Sequence, residues 1–576
     1  MINNKIADIF QEIGDILEIQ NENAFRIRSY HRAAQIIRNL ATDIETVYHK
    51  NPKKILAIRG IGKDLFSMIE EIIKNGDCTL HKDLLAHFHP GLLDMLKLRG
   101  IGPKKVKLIY SNLGIKDIKT LEKSAREGEI RTLPGMGEKT EKAIIQSIQD
   151  LKRYSERTLM PLALGEARQL VTYIRENNHV HDCQYAGSLR RRKETIGDID
   201  ILVSIKKNAD PKKIMDHFIA YSATEEILAH GPTKSSIVLS SGIQVDLRVV
   251  EQKSFGAALH YFTGSKAHNI AIRNRAKKEG LKVNEYGVFK GKKYIAGKTE
   301  KDVFKAVGLP YIIPELRKND GEINAAEHNT LPDSITLNDI KGDLHMHTNA
   351  SDGSQPLEKV VEEAYKAGYS YIAVTDHSQS SHIANGLTPE RLLKQFKDID
   401  ALNKKYADKN FTVLKGSEVD ILPDGSLDFP DELLAQMDIF PASVHSRFSM
   451  SQKEMTNRII TAMKNPHVHI IGHPTGRLLN KRDPYDLDME AIFEAAVTYN
   501  TALELNAQPA RLDLTDKYLR QAKEKGAKIV IGTDSHHSSQ RVYMEYGIYI
   551  ARRGWLEKDD VLNTYPLKKL LDHFKT

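Results

Sequence analysis

Cysteine is nearly missing from this chain: 576 residues contain only Cys78 and Cys183. A disulfide framework is therefore excluded, and a reducing, cytoplasmic setting is expected. Long apolar runs are missing too. No charge-free stretch reaches the roughly 18 residues of a membrane span, and Met1-Ile2-Asn3-Asn4-Lys5 lacks the apolar core of a signal peptide, so no membrane partner is expected. Net charge is only +8, which by itself names no ligand. Its distribution says more. Residues 1–340 carry 54 Lys/Arg against 43 Asp/Glu, and residues 341–576 carry 30 against 33. A basic front fits a polyanion, and a slightly acidic, histidine-rich back fits a metal enzyme. The length exceeds one core and suggests about four domains or subdomains.

The most informative feature is Gly187-Ser188, followed by Asp198-Ile199-Asp200 and, much later, by Asp246 in Ile243-Gln244-Val245-Asp246-Leu247-Arg248. Side chains alternate along a strand, so Asp198 and Asp200 share one face while Ile199, Ile201, Leu202 and Val203 mark burial. Asp246 lies in a second strand-like run. Three carboxylates on adjoining strands can hold two divalent cations about 3.5–4 Å apart, which assist phosphoryl transfer. Gly187 and Ser188 offer backbone N–H groups and a hydroxyl to phosphates, and Arg190, Arg191 and Arg192 add charge for a triphosphate.

Residues 1–150 read as helical, punctuated by three similar turns: Ile58-Arg59-Gly60-Ile61-Gly62-Lys63, Leu98-Arg99-Gly100-Ile101-Gly102-Pro103-Lys104-Lys105 and Leu133-Pro134-Gly135-Met136-Gly137-Glu138-Lys139. The glycines allow a tight turn, and the helix that follows presents free N–H groups to a phosphate. This is the helix-hairpin-helix pattern of sequence-independent DNA binding, although Glu138 weakens the third copy. Arg26, Arg28 and Arg32 can face one groove and clasp a 5′-phosphate.

Behind a polar stretch, histidines and carboxylates follow short apolar runs: His345-Met346-His347 with Asp352, His377, Glu418, His445, His473, and Asp534 with His536. Helical patterns separate these runs. The pattern is that of a parallel (β/α) barrel whose ligands gather at strand C-terminal ends. Mixed imidazole and carboxylate donors suit Mn²⁺, Zn²⁺ or Fe²⁺ better than Mg²⁺. Arg477 and Arg511 are candidate phosphate clamps.

Gly187-Ser188-Leu189-Arg190-Arg191 with Gly197-Asp198-Ile199-Asp200 resembles the palm of the family X DNA polymerases. Tyr261-Phe262-Thr263-Gly264-Ser265, Asn269, Arg273 and Asn284-Glu285-Tyr286 follow in the order of that family's nucleotide-binding and thumb segment. The resemblance implies that Asp198 and Asp200 bind two Mg²⁺ (or Mn²⁺), that Asp246 binds the catalytic one, and that Gly187, Ser188 and Arg191 hold the triphosphate. It further implies that Tyr261, Phe262, Gly264 and Ser265 face the nucleotide, Asn269 the incoming base and Arg273 the template. Gln244 and Lys266 depart from the family pattern. Met68 stands where gap-filling relatives carry a Schiff-base lysine, so 5′-phosphate binding without efficient deoxyribose phosphate lyase chemistry is predicted. The back half resembles the PHP phosphoesterase domain. That resemblance implies up to three Mn²⁺, Zn²⁺ or Fe²⁺: one on His345, His347, Glu418 and Asp534, a second on Glu418, His445 and His473, and a third on Asp352, His377 and His536.

The expected fold is multidomain: an all-α helix-hairpin-helix N-terminal region (1–85, with a duplex-binding subdomain at 86–150), an α+β nucleotidyltransferase palm (151–252) with thumb (253–315), a linker (316–340) and a distorted (β/α) barrel PHP domain (341–576). The expected function is template-directed filling of short gaps in DNA repair by a monomer. It would act on gapped or nicked DNA with a 5′-phosphate and on deoxynucleoside triphosphates. PHP-borne 3′→5′ exonuclease and abasic-site endonuclease activities are expected beside it. A small-molecule nucleotidyltransferase fused to a histidinol-phosphate-type phosphatase, and a DNA-end-binding scaffold, are the alternatives; the three hairpin turns oppose the first and the complete ligand sets the second.

Overall fold

The computed structural model describes residues 2–38, 44–56, 58, 60–86, 88–96, 98, 101–155 and 157–574. Gly100, expected at the second hairpin, lies outside the described residues, as do its neighbour Arg99 and Arg59 of the first turn. The chain divides into two compact units, Met1–Glu156 and Arg157–Thr576.

The first unit is helical and holds two apolar cores. Phe10, Ile13, Ala33, Ile69 and Ile72 belong to one, and Met95, Val106, Ile109, Leu121 and Ile148 to the other. Met68 packs against the first core. Gly60 and Gly135 have positive φ, and Gly62 and Gly102 are extended N-caps of the helices Lys63–Asn75 and Pro103–Leu113. Neither N-cap has a side-chain hydrogen bond; the first-turn N–H groups after Gly62 are thus left to an external acceptor, whereas after Gly102, Pro103 has no N–H and the Lys105 amide donates to the Gly102 carbonyl at 2.9 Å. The third hairpin differs, because the next helix opens with Glu138 and Glu141. Buried Glu141 accepts from the backbone and guanidinium of Arg131.

The second unit begins with a short pair, β1 (Thr158–Leu159) with β3 (Thr195–Ile196). The palm sheet contains β2 (Val180–Tyr185), β4 (Asp198–Ile205), β5 (Thr224–His230), β6 (Lys234–Leu239) and β7 (Gln244–Glu251) in the order β2-β4-β7-β6-β5. Only β4 and β7 run parallel, with Asp200 opposite Asp246. Ile199, Ile201, Val203, Val245 and Leu247 face the main core, whereas Leu202 packs with Ala186, Ala258 and Leu259 on the other face. Strand alternation therefore puts the three aspartates on the Leu202 face.

The thumb has a three-stranded antiparallel sheet, β8 (Lys282–Asn284), β9 (Gly287–Lys290) and β10 (Lys293–Ala296), beside the helices Lys266–Lys278 and Glu300–Ala306. Residues 316–340, expected as a linker, fold onto it: Leu316 and Ala326 join the thumb core. Arg317 is fully buried and paired with Glu300 at 2.6 Å. Buried Glu322 is 2.7 Å from His268 Nδ1 and accepts from the Asn319 and Asp320 amides. Polar composition misled here because internal partners satisfy those groups.

The last region contains β11 (Gly342–Asp343), β12 (Tyr371–Val374), β13 (Thr412–Lys415), β14 (Val419–Asp420), β15 (Pro441–Ser443), β16 (Ile470–Ile471), β17 (Ala502–Asn506) and β18 (Ile529–Gly532), all paired in parallel. β13 and β14 are halves of one path broken at Gly416-Ser417, and parallel bridges His377–Glu418 and Met346–Ser535 complete the ring. The result is a distorted barrel. Its apolar core is continuous with that of the palm, so palm, thumb and barrel form one packed body rather than beads on a linker.

Candidate functional site

In the palm, Gly187 has φ +61°, and a Cβ there would lie 2.3 Å from Asp200 Oδ2. Only glycine lets the Ser188 turn approach the carboxylates this closely. The Ala186 amide donates to the Asp200 carbonyl at 2.8 Å, fixing the turn to β4. Asp198 is exposed, Asp200 half-buried and Asp246 buried. Burial, then the charges of Asp198 and Asp246, push the Asp200 carboxyl up to about 6. Burial also works to raise Asp246, but hydrogen bonds from Lys234, Gln244 and Ser236 outweigh it and hold that carboxyl below its ordinary range. Gln244, a departure from the family pattern, thus bonds Asp246 directly at 2.9 Å. Mutually repelling carboxylates on one sheet face are a donor set that divalent cations neutralise. A cavity of about 550 Å³ opens beside them, lined by Lys234, Arg248, Phe262 and Tyr286.

The expected nucleotide contacts divide. The half-buried Tyr261 and Phe262 rings meet edge to face, with Arg248 stacked over Phe262. Gly264, at φ +33°, lies so near Asn269 that a Cβ would fall 2.8 Å from its Nδ2. Asn269 is buried and its Nδ2 donates to the Tyr261 carbonyl at 2.6 Å, while its Oδ1 has no hydrogen-bond partner. Ser265 caps the next helix by accepting from the His268 amide. Arg273 remains exposed. The arginine run also requires correction. Arg190 pairs with Glu300 at 2.6 Å, and Arg191 donates to the Thr263 carbonyl. Burial and then the charge of Arg553 push Arg191 down to about 10.

In the first unit Arg26, Arg28 and Arg32 are exposed on one helix, with Arg28 lying over the Phe25 ring. Lys104 is exposed and Lys105 half-buried at the start of Pro103–Leu113.

The barrel gathers all nine expected ligands. His345 and His347 follow β11, His377 follows β12, Glu418 interrupts the β13–β14 path, His445 and His473 follow β15 and β16, and Asp534 and His536 follow β18. Donor atoms lie within 4.8 Å of one another in three groups: His347, Asp352, His377 and His536; His345, His347 and Asp534; and His377, Glu418 and His445. His347 and His377 each belong to two groups: the first group contains the whole expected set of Asp352, His377 and His536, and the other two overlap the expected sets in His345, His347 and Asp534 and in Glu418 and His445. His473 Nε2 lies 2.9 Å from Glu418 Oε1. Buried ring nitrogens of His345, His347, His377 and His473 lack hydrogen-bond partners, as metal-binding nitrogens require. Supporting carboxylates escaped the sequence reading. Glu504 accepts from His345 at 2.6 Å and from the His473 amide at 2.6 Å, and Asp420 pairs with His445 Nδ1. Glu504 lies mid-strand in β17 and Asp420 ends β14, two residues past Glu418; position was the only available signal. Arg477 is not a free clamp, because it pairs with Glu194 of the palm at 2.6 Å. Arg511 stays near the cluster, 3.5 Å from Asp534.

Comparison with known proteins agrees with this geometry. The chain is 38% identical over 570 residues to the DNA polymerase/3′–5′ exonuclease PolX of Bacillus subtilis (strain 168), covering 98% of this chain and 97% of that protein. The chain belongs to the PolX family of family X polymerases. Family models match a helix-hairpin-helix domain at residues 1–78, a SAM-like helix-hairpin-helix tandem at 92–150, the DNA polymerase beta thumb at 258–318 and a PHP domain at 343–508. A probable phosphatase of Thermoanaerobacter sp. (strain X514) is 32% identical over 233 residues, covering 38% of this chain and 89% of its own. One from Clostridium acetobutylicum is 29% identical over 206 residues, covering 34% and 79%. Membership makes this chain an enzyme that uses divalent cations and binds DNA and deoxynucleoside triphosphates. Among the described residues no helix is long and apolar enough to cross a membrane.

Proposed function

We propose that the chain fills short gaps in duplex DNA by template-directed synthesis and trims 3′ ends at the barrel, with abasic-site incision as a further activity of the same cluster. The observation that carries the synthetic reading is the register of Asp200 opposite Asp246 with Gly187 against Asp200. Asp198, Asp200 and Asp246 would hold two Mg²⁺, which would neutralise charge at the triphosphate and ease ionisation of the primer hydroxyl. The protein's own part is positional: the Ser188 turn presents N–H groups and a hydroxyl, and the thumb closes one side of the cavity. The barrel donors fit Mn²⁺, Zn²⁺ or Fe²⁺, which would activate water as Lewis acids, while Arg511 is placed to meet a phosphate.

The open N-cap at Gly62 and the exposed Arg26, Arg28 and Arg32 support binding of a gap's 5′-phosphate. Met68, packed on its core, leaves no amine for an imine. Borohydride treatment of an incised abasic duplex should trap no adduct; a covalent product would refute this.

The decisive experiment offers gapped DNA with Mg²⁺ or Mn²⁺ to the wild type, Asp198→Ala/Asp200→Ala and His345→Ala/His347→Ala. The first double variant should lose synthesis and keep degradation, and the second the reverse. Loss of both activities in either variant would count against two separate centres. Because relatives of the barrel are named probable phosphatases, the products should also be assayed for inorganic phosphate; its release in place of nucleotides would favour a phosphomonoesterase.

A further inference from the structure

The residues immediately after Ser188 are gripped from outside the palm. The Arg190 guanidinium is held by Glu300 and Thr263 of the thumb. The Arg191 carbonyl accepts from Arg553, and the Glu194 carboxylate pairs with Arg477 at 2.6 Å, both from the barrel. Arg192, at φ +57°, is in the left-handed region that side chains avoid. Its guanidinium stacks 3.9 Å from the Tyr549 ring centroid of the barrel and 5.4 Å from that of Tyr185 in the palm. Its Nε and Nη1 are buried with no hydrogen-bond partner, so the aromatic faces are what meet them.

The grips are themselves anchored. Arg553 pairs with Asp516 at 2.6 Å, and Asp516 with Lys318 at 3.2 Å. Tyr549 donates to Glu545, which pairs with Arg168 at 2.7 Å. The gripped segment is short and closes back on the phosphate-facing turn: the Arg191 amide donates to the Gly187 carbonyl at 3.3 Å and the Lys193 amide to the Ser188 carbonyl at 3.1 Å. A shift of Arg191 or Arg192 must therefore move Gly187 and Ser188, and Gly187 has no slack against Asp200.

We infer that Tyr549 and Arg553 of the barrel are positioning residues for the triphosphate-binding turn of the polymerase centre, so that the nuclease module sets nucleotide affinity without touching the nucleotide. The inference rests on the synthetic reading above. The full chain should be tested as Tyr549→Ala, Tyr549→Leu, Tyr549→Phe and Arg553→Ala, measuring KM and kcat for deoxynucleoside triphosphates on gapped DNA and nucleotide release from single-stranded DNA. Losing the ring or the guanidinium should raise KM about tenfold, with a smaller fall in kcat because Gly187 abuts Asp200, while nuclease activity is unchanged. Tyr549→Phe keeps the stacking face and loses only the hydroxyl that anchors to Glu545, so its KM should lie closer to the wild type than to Tyr549→Ala. Tyr549→Leu keeps apolar bulk and should match Ala, so it decides the question if Ala lowers the melting temperature. An unaltered KM in folded Tyr549→Leu and Arg553→Ala, or an equal loss of synthesis and nuclease activity, would overturn the inference. Failure of the wild type to extend a primer would instead sink the synthetic reading.

Discussion

In the palm, three aspartates share one sheet face, Lys234 pairs with Asp246 at 2.8 Å, and burial with the charges of Asp198 and Asp246 pushes the Asp200 carboxyl up to about 6. In the barrel the candidate ligand carboxylates Asp352, Glu418 and Asp534 sit among imidazoles. Burial would raise Glu418, yet His445, His377 and His345 hold it well below the usual carboxylate range. Asp352 likewise falls to about 2, because hydrogen bonding from His536 and the charges of His347 and His377 outweigh burial. The palm site is thus a set of like charges graded from the exposed Asp198 to the buried Asp246. The barrel is a closed cage whose second ring of carboxylates already orients the ligands.

The sharpest way to break that contrast is to remove one member of each centre. Glu418→Gln should reduce DNA degradation by about 10³-fold while synthesis persists, because the carboxylate central to the cluster is lost; nucleotide release and primer extension measured on one preparation check this. Gly187→Ala should lower synthesis by about 10²-fold and leave degradation intact, since its methyl displaces Asp200 from its working position. Glu504→Gln should weaken metal retention at the barrel by about 10–100-fold, read by metal content after dialysis, although Glu504 is no ligand in the three donor groups. The smallest effect concerns stability. A carboxyl whose pKa is raised in the folded state binds its proton more tightly there than when unfolded, so ionisation costs stability. The cost begins near pH 4 and is complete above about pH 6. Asp200→Asn should therefore stabilise the metal-free protein at pH 7 by about 1–2 kcal/mol and have little effect at pH 4, as thermal melts in chelator would show. A stabilising effect from Glu418→Gln under the same conditions would erase the distinction between the two centres.

Much of both centres was legible in the sequence because their chemistry is written in local patterns. Asp198 and Asp200 alternate on one strand face, a glycine precedes Ser188 where backbone must pass a carboxylate, and barrel ligands recur after short apolar runs. The helical hairpins were legible for the same reason. Residues 316–340 were misread, because Arg317 and Glu322 are charges whose partners, Glu300 and His268, lie elsewhere in the chain. Arg477 was assigned to a phosphate although Glu194 already engages it. Composition reports that a side chain is polar, not what it faces.

By itself, then, the order of residues determined which catalytic groups exist and on which elements they ride, since strand alternation and glycine turns are properties of a few neighbouring residues. Tertiary structure alone decided how the centres share one body. The contacts of Arg168, Arg191 and Glu194 with the barrel join residues between 283 and 377 positions apart. Pairings that distant have no periodicity to reveal them, because they depend on how whole layers pack.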